Sequence, residues 1–132
     1  MSLAAPQQRQ QRSEWCLWYE APSWTVNQER AQTHWKQRSS PTKEWRKAFK
    51  VLAKKAQIPH LERIRVVVVQ HRKDRRKIDL GACFPAVKAA IDGITDAGVL
   101  DDDDSRHLIE LTFAEPVVDG RAGIALWIID AS

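Results

Sequence analysis

Residues 74–106, DRRKIDLGACFPAVKAAIDGITDAGVLDDDDSR, hold the side chains whose types and spacing could do chemistry. Arg75, Arg76 and Lys77 form a basic run suited to phosphate oxygens. Asp79 closes that run, and Asp101, Asp102, Asp103 and Asp104 follow beyond a helical stretch that carries Lys88. Carboxylates are hard oxygen donors that suit Mg²⁺ or Mn²⁺. Two or three from separate segments must converge on one ion, because adjacent side chains rarely point at the same place. A lysine beside them could stabilise a crowded phosphorus centre or protonate its leaving group. The chemistry implied is metal-assisted hydrolysis of a phosphodiester. Two plainer readings stay open on the residues alone. Four consecutive Asp can be a solvated loop, and Lys88 with Asp92 fits an ordinary i,i+4 ion pair. The run is no EF-hand loop, which needs alternating ligands around a central Gly.

The elements that must position these groups are legible in outline. Alternation over 14–20 predicts a strand with Trp15, Leu17 and Tyr19 on one face and Cys16 and Trp18 on the other. Residues 24–40 fit neither template and read as a loop facing nucleic acid, with Asn27, Arg30, His34, Trp35, Lys36 and Arg38. Pro41 opens a predicted helix to about 57, whose apolar stripe is Trp45, Ala48, Phe49, Leu52 and Ala56. The β-branched run in 63–70 predicts a central strand buried on both faces. A second helix over 84–97 buries Phe84, Val87, Ile91 and Ile94, and Gly98 stops it. Residues 107–115 and 121–130 read as two strands of an antiparallel hairpin across the turn Asp119-Gly120. The order β-α-β-α-β-β predicts a mixed α/β (α+β) fold: one small domain over 14–132, a mixed sheet packed by two helices, after a disordered leader over 1–13.

Charge is divided unevenly along the 132 residues. Residues 1–77 hold 18 Lys and Arg against 6 Asp and Glu, and residues 78–132 hold 3 against 11. Such a division points to a polyanion-binding surface around an acidic pocket. No apolar run approaches the roughly 18–20 residues that span a bilayer, so no membrane partner is expected. Cys16 and Cys83 form no metal or redox motif, which fits a reducing, cytoplasmic compartment. Five of six Trp precede residue 46. Trp15 and Trp18 read as core, whereas Trp24 and Trp35 could equally stack on bases.

With these residues in view, the chain resembles the RusA family of Holliday-junction resolvases. Asp74-Arg75-Arg76-Lys77-Ile78-Asp79 looks like the family's basic run ending in its first catalytic Asp. Lys88-Ala89-Ala90-Ile91-Asp92-Gly93-Ile94 and Asp96-Ala97-Gly98-Val99-Leu100 resemble its helix with the catalytic Lys and Gly-containing end. Asp102-Asp103 looks like the paired Asp that follows, and Asn27, Arg30 and His34-Trp35 are similar to the family's N-terminal region. The likeness spans roughly 15–115. It implies a small homodimeric endodeoxyribonuclease, bacterial or phage-encoded, that uses Mg²⁺ to cut four-way DNA junctions symmetrically. Asp79, Lys88 and Asp103 would be catalytic, and Asp79 and Asp103 would hold metal with Asp102 or Asp104 assisting. Arg30, His34, Trp35, Lys36, Arg75, Arg76 and Lys77 would meet DNA. The chain departs from the family in one telling place. Gly81 and Ala82 stand where a second Asp and an Asn are usual, which leaves a branched-DNA-binding protein with impaired cleavage as the alternative.

Overall fold

The computed structural model describes residues 13–25, 28 and 35–132, with the side chains of 35–40 left aside. Its elements are β1 (Glu14–Tyr19), α1 (Trp35–Lys55), β2 (Ile64–Arg72), α2 (Phe84–Asp96), β3 (Leu108–Phe113), β4 (Val117–Val118) and β5 (Gly123–Asp130). The strands form one mixed sheet ordered β1-β5-β2-β3, and the two-residue β4 lies beside the end of β2. β5 runs antiparallel to both β1 and β2, while β3 and β4 run parallel to β2. This is the mixed α/β domain expected from the element order, with β4 added.

One face of the sheet carries Trp15, Leu17, Ile64, Val66, Val68, Ile124, Leu126 and Ile128, all buried. They form a single core with Trp45, Phe49 and Ala53 of α1 and with Val87, Ile91 and Ile94 of α2. Each fully buried side chain of this size stabilises the fold by about 1.5–3 kcal/mol relative to exposure. The helices also press on one another, and Gly93 packs directly against the α1 backbone. A Cβ there would lie 2.3 Å from the Arg46 carbonyl oxygen and 3.1 Å from Phe49 Cβ. No larger residue fits without moving a helix.

Both helices end in the same way. At α2, Gly98 (φ +91°) turns left-handed, so that Val99 N–H reaches the Ile94 carbonyl and Gly98 N–H that of Thr95. At α1 the same pair of bonds forms from Ile58 and Gln57, with Gln57 at φ +57°. These are Schellman endings, and Gln57 fills a position that glycine occupies at lower cost.

Four expectations are corrected. β3 and β5 do not form a hairpin: β2 lies between them and takes both as neighbours. The β2–α2–β3 unit is a parallel crossover, and local turn signals carry no information about that choice. β2 is interior as expected, but buried on one face only, since both helices sit on that side and Val67 and Val69 are half-buried on the other. α1 begins at Trp35 and runs through Pro41. Proline keeps a helical φ and forfeits one hydrogen bond, so it need not be the first residue of a helix. Phe84, at the start of α2, is exposed at 42% instead of buried.

Cys16 and Cys83 are both free. Among the described residues, no helix is long and apolar enough to cross a membrane. Residues 1–12, most of the leader, lie outside the described set.

Candidate active site and the basic cleft

Lys88, Asp92 and Asp96 are spaced four apart on α2 and form its polar stripe. Lys88 Nζ donates to Asp92 Oδ1 at 2.7 Å and to Asp103 Oδ2 at 2.5 Å. The i,i+4 pair and the long-range contact therefore exist together, and two of the residues singled out in sequence touch. Further along, Arg46 of α1 clasps Asp96 with two bonds, at 2.6 and 2.9 Å. The acidic loop is thereby tied to α2, and α2 to α1, by side chains on the solvent side of both helices.

The four consecutive Asp do four different things. Asp101 meets His60 Nε2 at 3.0 Å. Asp102 accepts the Asp103 backbone N–H at 2.7 Å and so orients its neighbour. Asp103 takes the Lys88 ammonium. Asp104 accepts from the Arg106 backbone and guanidinium and from His107 Nδ1, while its carbonyl caps the start of β3 through His107 and Leu108 N–H. Asp104 thus closes the turn into β3, and its carboxylate is already taken.

Electrostatics follow this wiring. The hydrogen bond from Lys88 holds the Asp103 carboxyl below its usual range despite partial burial, with the nearby Asp92 and Asp102 carboxyls adding smaller effects. Burial alone would lower the Lys88 ammonium, but Asp103 and Asp92 outweigh it and raise it. Arg106, then His107, pulls Asp104 far below the ordinary carboxylate range. Both partners at Lys88–Asp103 stay charged at neutral pH.

Asp79 stands apart. Its carbonyl accepts Ala82 N–H in the turn that leads to α2, where Gly81 has φ +85°. Its carboxylate is exposed and makes no hydrogen bond or ion pair among the described residues. No three His, Cys, Asp or Glu among the described residues are spaced to hold an ion by themselves. The donor chemistry around Asp103 nevertheless suits a hard cation. The carboxyls of Asp92 and Asp102 neighbour that of Asp103, and Mg²⁺ is commonly bound by one or two carboxylates plus waters and phosphate oxygens.

Of the residues expected to meet DNA, Arg75, Arg76 and Lys77 are exposed on the loop after β2. Arg76 bonds Asp74 through its backbone N–H and Nε, and the Arg72 guanidinium donates to the Arg76 carbonyl, folding the loop back on the strand end. Arg30 and His34 lie outside the described residues, as do the side chains of Trp35 and Lys36.

Sequence reasoning missed a second group of polar residues. His71 Nδ1 is 2.7 Å from Asp119 Oδ2, and the His71 ring meets Trp18 edge-on at 4.8 Å. Arg121 binds Asp119 and lies over the Trp18 ring at 4.7 Å. Trp18 can lie there because residue 123 is Gly: a Cβ would be 2.5 Å from its ring. Beside this group, the end of β2 borders a cleft of about 320 Å³. The only hint in the sequence was a histidine following a buried strand, with a turn Asp 48 positions later.

Searches against models of known protein families and against curated proteins find no match for this chain.

Proposed function

We propose that the chain is a divalent-metal-dependent endodeoxyribonuclease that resolves four-way DNA junctions by paired phosphodiester hydrolysis. The observation that carries this reading is the Lys88 ammonium held between Asp92 and Asp103, a cation and carboxylates gathered on one surface from α2 and the loop beyond it. A divalent ion would be held by Asp103 with Asp102. It would act as a Lewis acid and lower the pKa of a bound water. On this reading Asp79, exposed on the turn before α2, is the third carboxylate of the set. Lys88 supplies positive charge to the phosphate as negative charge builds there. Arg75, Arg76 and Lys77 hold the backbone, and their exposure leaves them open to it. A junction has near-twofold symmetry, so matched cuts call for a homodimer with one site on each protomer.

A second reading is favoured by Asp79 and Gly81. With the Asp79 carboxylate making no contact among the described residues and no carboxylate at 81, the protein would bind branched DNA and cut it poorly. The two readings separate in one experiment: cleavage of a synthetic mobile four-way junction in Mg²⁺ by the wild type, Asp79→Asn and Asp103→Asn. Paired symmetric nicks lost in both variants, with binding retained, support the nuclease. Tight binding without nicks from the wild type supports the second reading. Nicks that survive both substitutions would refute the assignment of these carboxylates.

A further inference from the structure

The cleft at the end of β2 has no part in the chemistry assigned to Lys88 and Asp103. It is bordered on one side by Pro22, Ser23 and Thr25 and on the other by residues 70–74, Arg76 and Ile78, with Ala122 and Gly123 completing it. Three cations line it, Arg72, Lys73 and Arg76, against one acid, Asp74. The Asp74 carboxylate is bonded by Arg76 and lies 3.9 Å from Arg72, so it balances part of that pair, and Lys73 makes no hydrogen bond or ion pair among the described residues. The surplus is positive, and it borders the recess.

His71 gives the recess a directed polar group. It lines the cleft and is largely covered, its side chain 16% exposed. Asp119 is held below the usual carboxylate range, first by His71, so it is ionised and can only accept. His71 Nδ1 therefore carries a hydrogen and donates it to Asp119. Nε2 is the nitrogen left for a ligand: protonated, it donates to an oxygen of a phosphate monoester or diester, and unprotonated, it accepts only from the O–H of a monoester or of free phosphate. Ser23 and Gln70, bonded to each other at 3.3 Å, add neutral polar groups at the wall. A volume of about 320 Å³ lies at the small end of ligand pockets, which run from about 300 to 1,000 Å³.

We propose that this cleft binds a phosphoryl group, with Lys73, Arg76 and His71 as its contacts and Asp119 orienting the imidazole. The chemistry is shared by a free phosphate monoester and by the phosphate of a DNA strand. The site shares Arg76 with the backbone contacts of the proposed nuclease, but binding here requires neither metal nor cleavage, so its failure and that of the nuclease reading are distinguishable.

The test is an NMR titration of the full chain without divalent metal, following the His71 ring resonances assigned with His71→Gln. The probes are inorganic phosphate, thymidine 5′-monophosphate and thymidine, with chloride at matched ionic strength as the control. Phosphate and the monophosphate are expected to shift His71 saturably, and thymidine and chloride are not. Lys73→Gln, an exposed substitution, is expected to weaken phosphate at least tenfold, whereas Lys54→Gln on α1 leaves it within twofold. A duplex with 5′-hydroxyl ends that displaces phosphate identifies the DNA backbone as the source. Displacement only by a 5′-phosphorylated duplex or the monophosphate identifies a chain end or a free nucleotide. Equal shifts from chloride, thymidine binding as well as its monophosphate, or unchanged affinity in Lys73→Gln would overturn the proposal.

Discussion

Lys88→Met separates a structural from a chemical role for the contact between α2 and the acidic loop. In the native chain the Lys88 side chain is 48% exposed, and its partners Asp92 and Asp103 are 26% and 25% exposed. An exposed i,i+4 pair contributes about 0.3–0.5 kcal/mol, and a better shielded contact such as that to Asp103 up to about 1. Met and Lys have similar helix propensities, so the backbone term nearly cancels. The loss also leaves the neighbouring Asp92 and Asp103 carboxyls without their shared cation. The expected cost is about 1 kcal/mol, a fall in Tm of roughly 3–5 °C for a domain of this size. The chemical role has a different scale. Removing a group that stabilises charge or transfers a proton lowers rates by about 10²–10⁴, or roughly 3–5 kcal/mol in barrier. Both quantities can be measured at 25 °C, stability by urea unfolding and chemistry by single-turnover junction cleavage at saturating protein. Asp92→Asn is the control, expected to cost a few tenths of a kcal/mol and less than tenfold in rate. A Lys88→Met protein that loses more than about 2 kcal/mol of stability yet cuts within threefold of the wild type would refute the chemical role.

Two further outcomes test the packing and the charge network. Gly93→Ala places a methyl 2.3 Å from the Arg46 carbonyl oxygen. The overpacking cost of about 1–3 kcal/mol exceeds the gain of about 1 kcal/mol in helix propensity, so urea unfolding should show net destabilisation; a more stable variant would mean the helices can separate freely. Arg46, Lys88, Arg106 and His71 hold Asp96, Asp103, Asp104 and Asp119 below their unfolded pKa values of about 4. Carboxyls depressed in the folded state contribute fully above pH 4, and that contribution fades as pH falls through the folded values. The urea midpoint should thus fall below about pH 4, and less steeply in Asp103→Asn. A midpoint flat from pH 6 to pH 3 would contradict the network.

What could be read in advance was local. Trp15, Leu17 and Tyr19 alternate correctly, Gly98 ends α2, and the α2 stripe of Val87, Ile91 and Ile94 is buried, because each depends on neighbours within a few residues. The pairing of β3 and β5 was misjudged because a strand chooses its partner through contacts distant in sequence, and β2 outcompetes the hairpin for both. The same limit applies to function. Lys88 and the run Asp101–Asp104 stand out by type and spacing, but only the resemblance singles out Asp103, since nothing in DDDD itself distinguishes the residue that meets Lys88 from those claimed by His60 or by Arg106 and His107. His71 and Asp119 were invisible as a pair because only the folded sheet brings the end of β2 beside the turn before β5.

Gly81 joins the local and the functional questions. Its φ of +85° lies in the left-handed region, where an L-residue costs about 1–2 kcal/mol, though Asp and Asn tolerate it better than most. Space does not forbid a side chain, since a Cβ would meet only Phe113 Cδ2, at 3.9 Å. A side chain at 81 is therefore opposed by backbone conformation and not by crowding. Gly81→Asp should fold with a loss of about 1–2 kcal/mol, read by urea unfolding. If cutting by this chain is limited by too few carboxylates before α2, the variant should cleave four-way junctions faster than the wild type in Mg²⁺ despite that loss. A variant that folds as expected and gains no activity would place the limit elsewhere than in the number of carboxylates before α2.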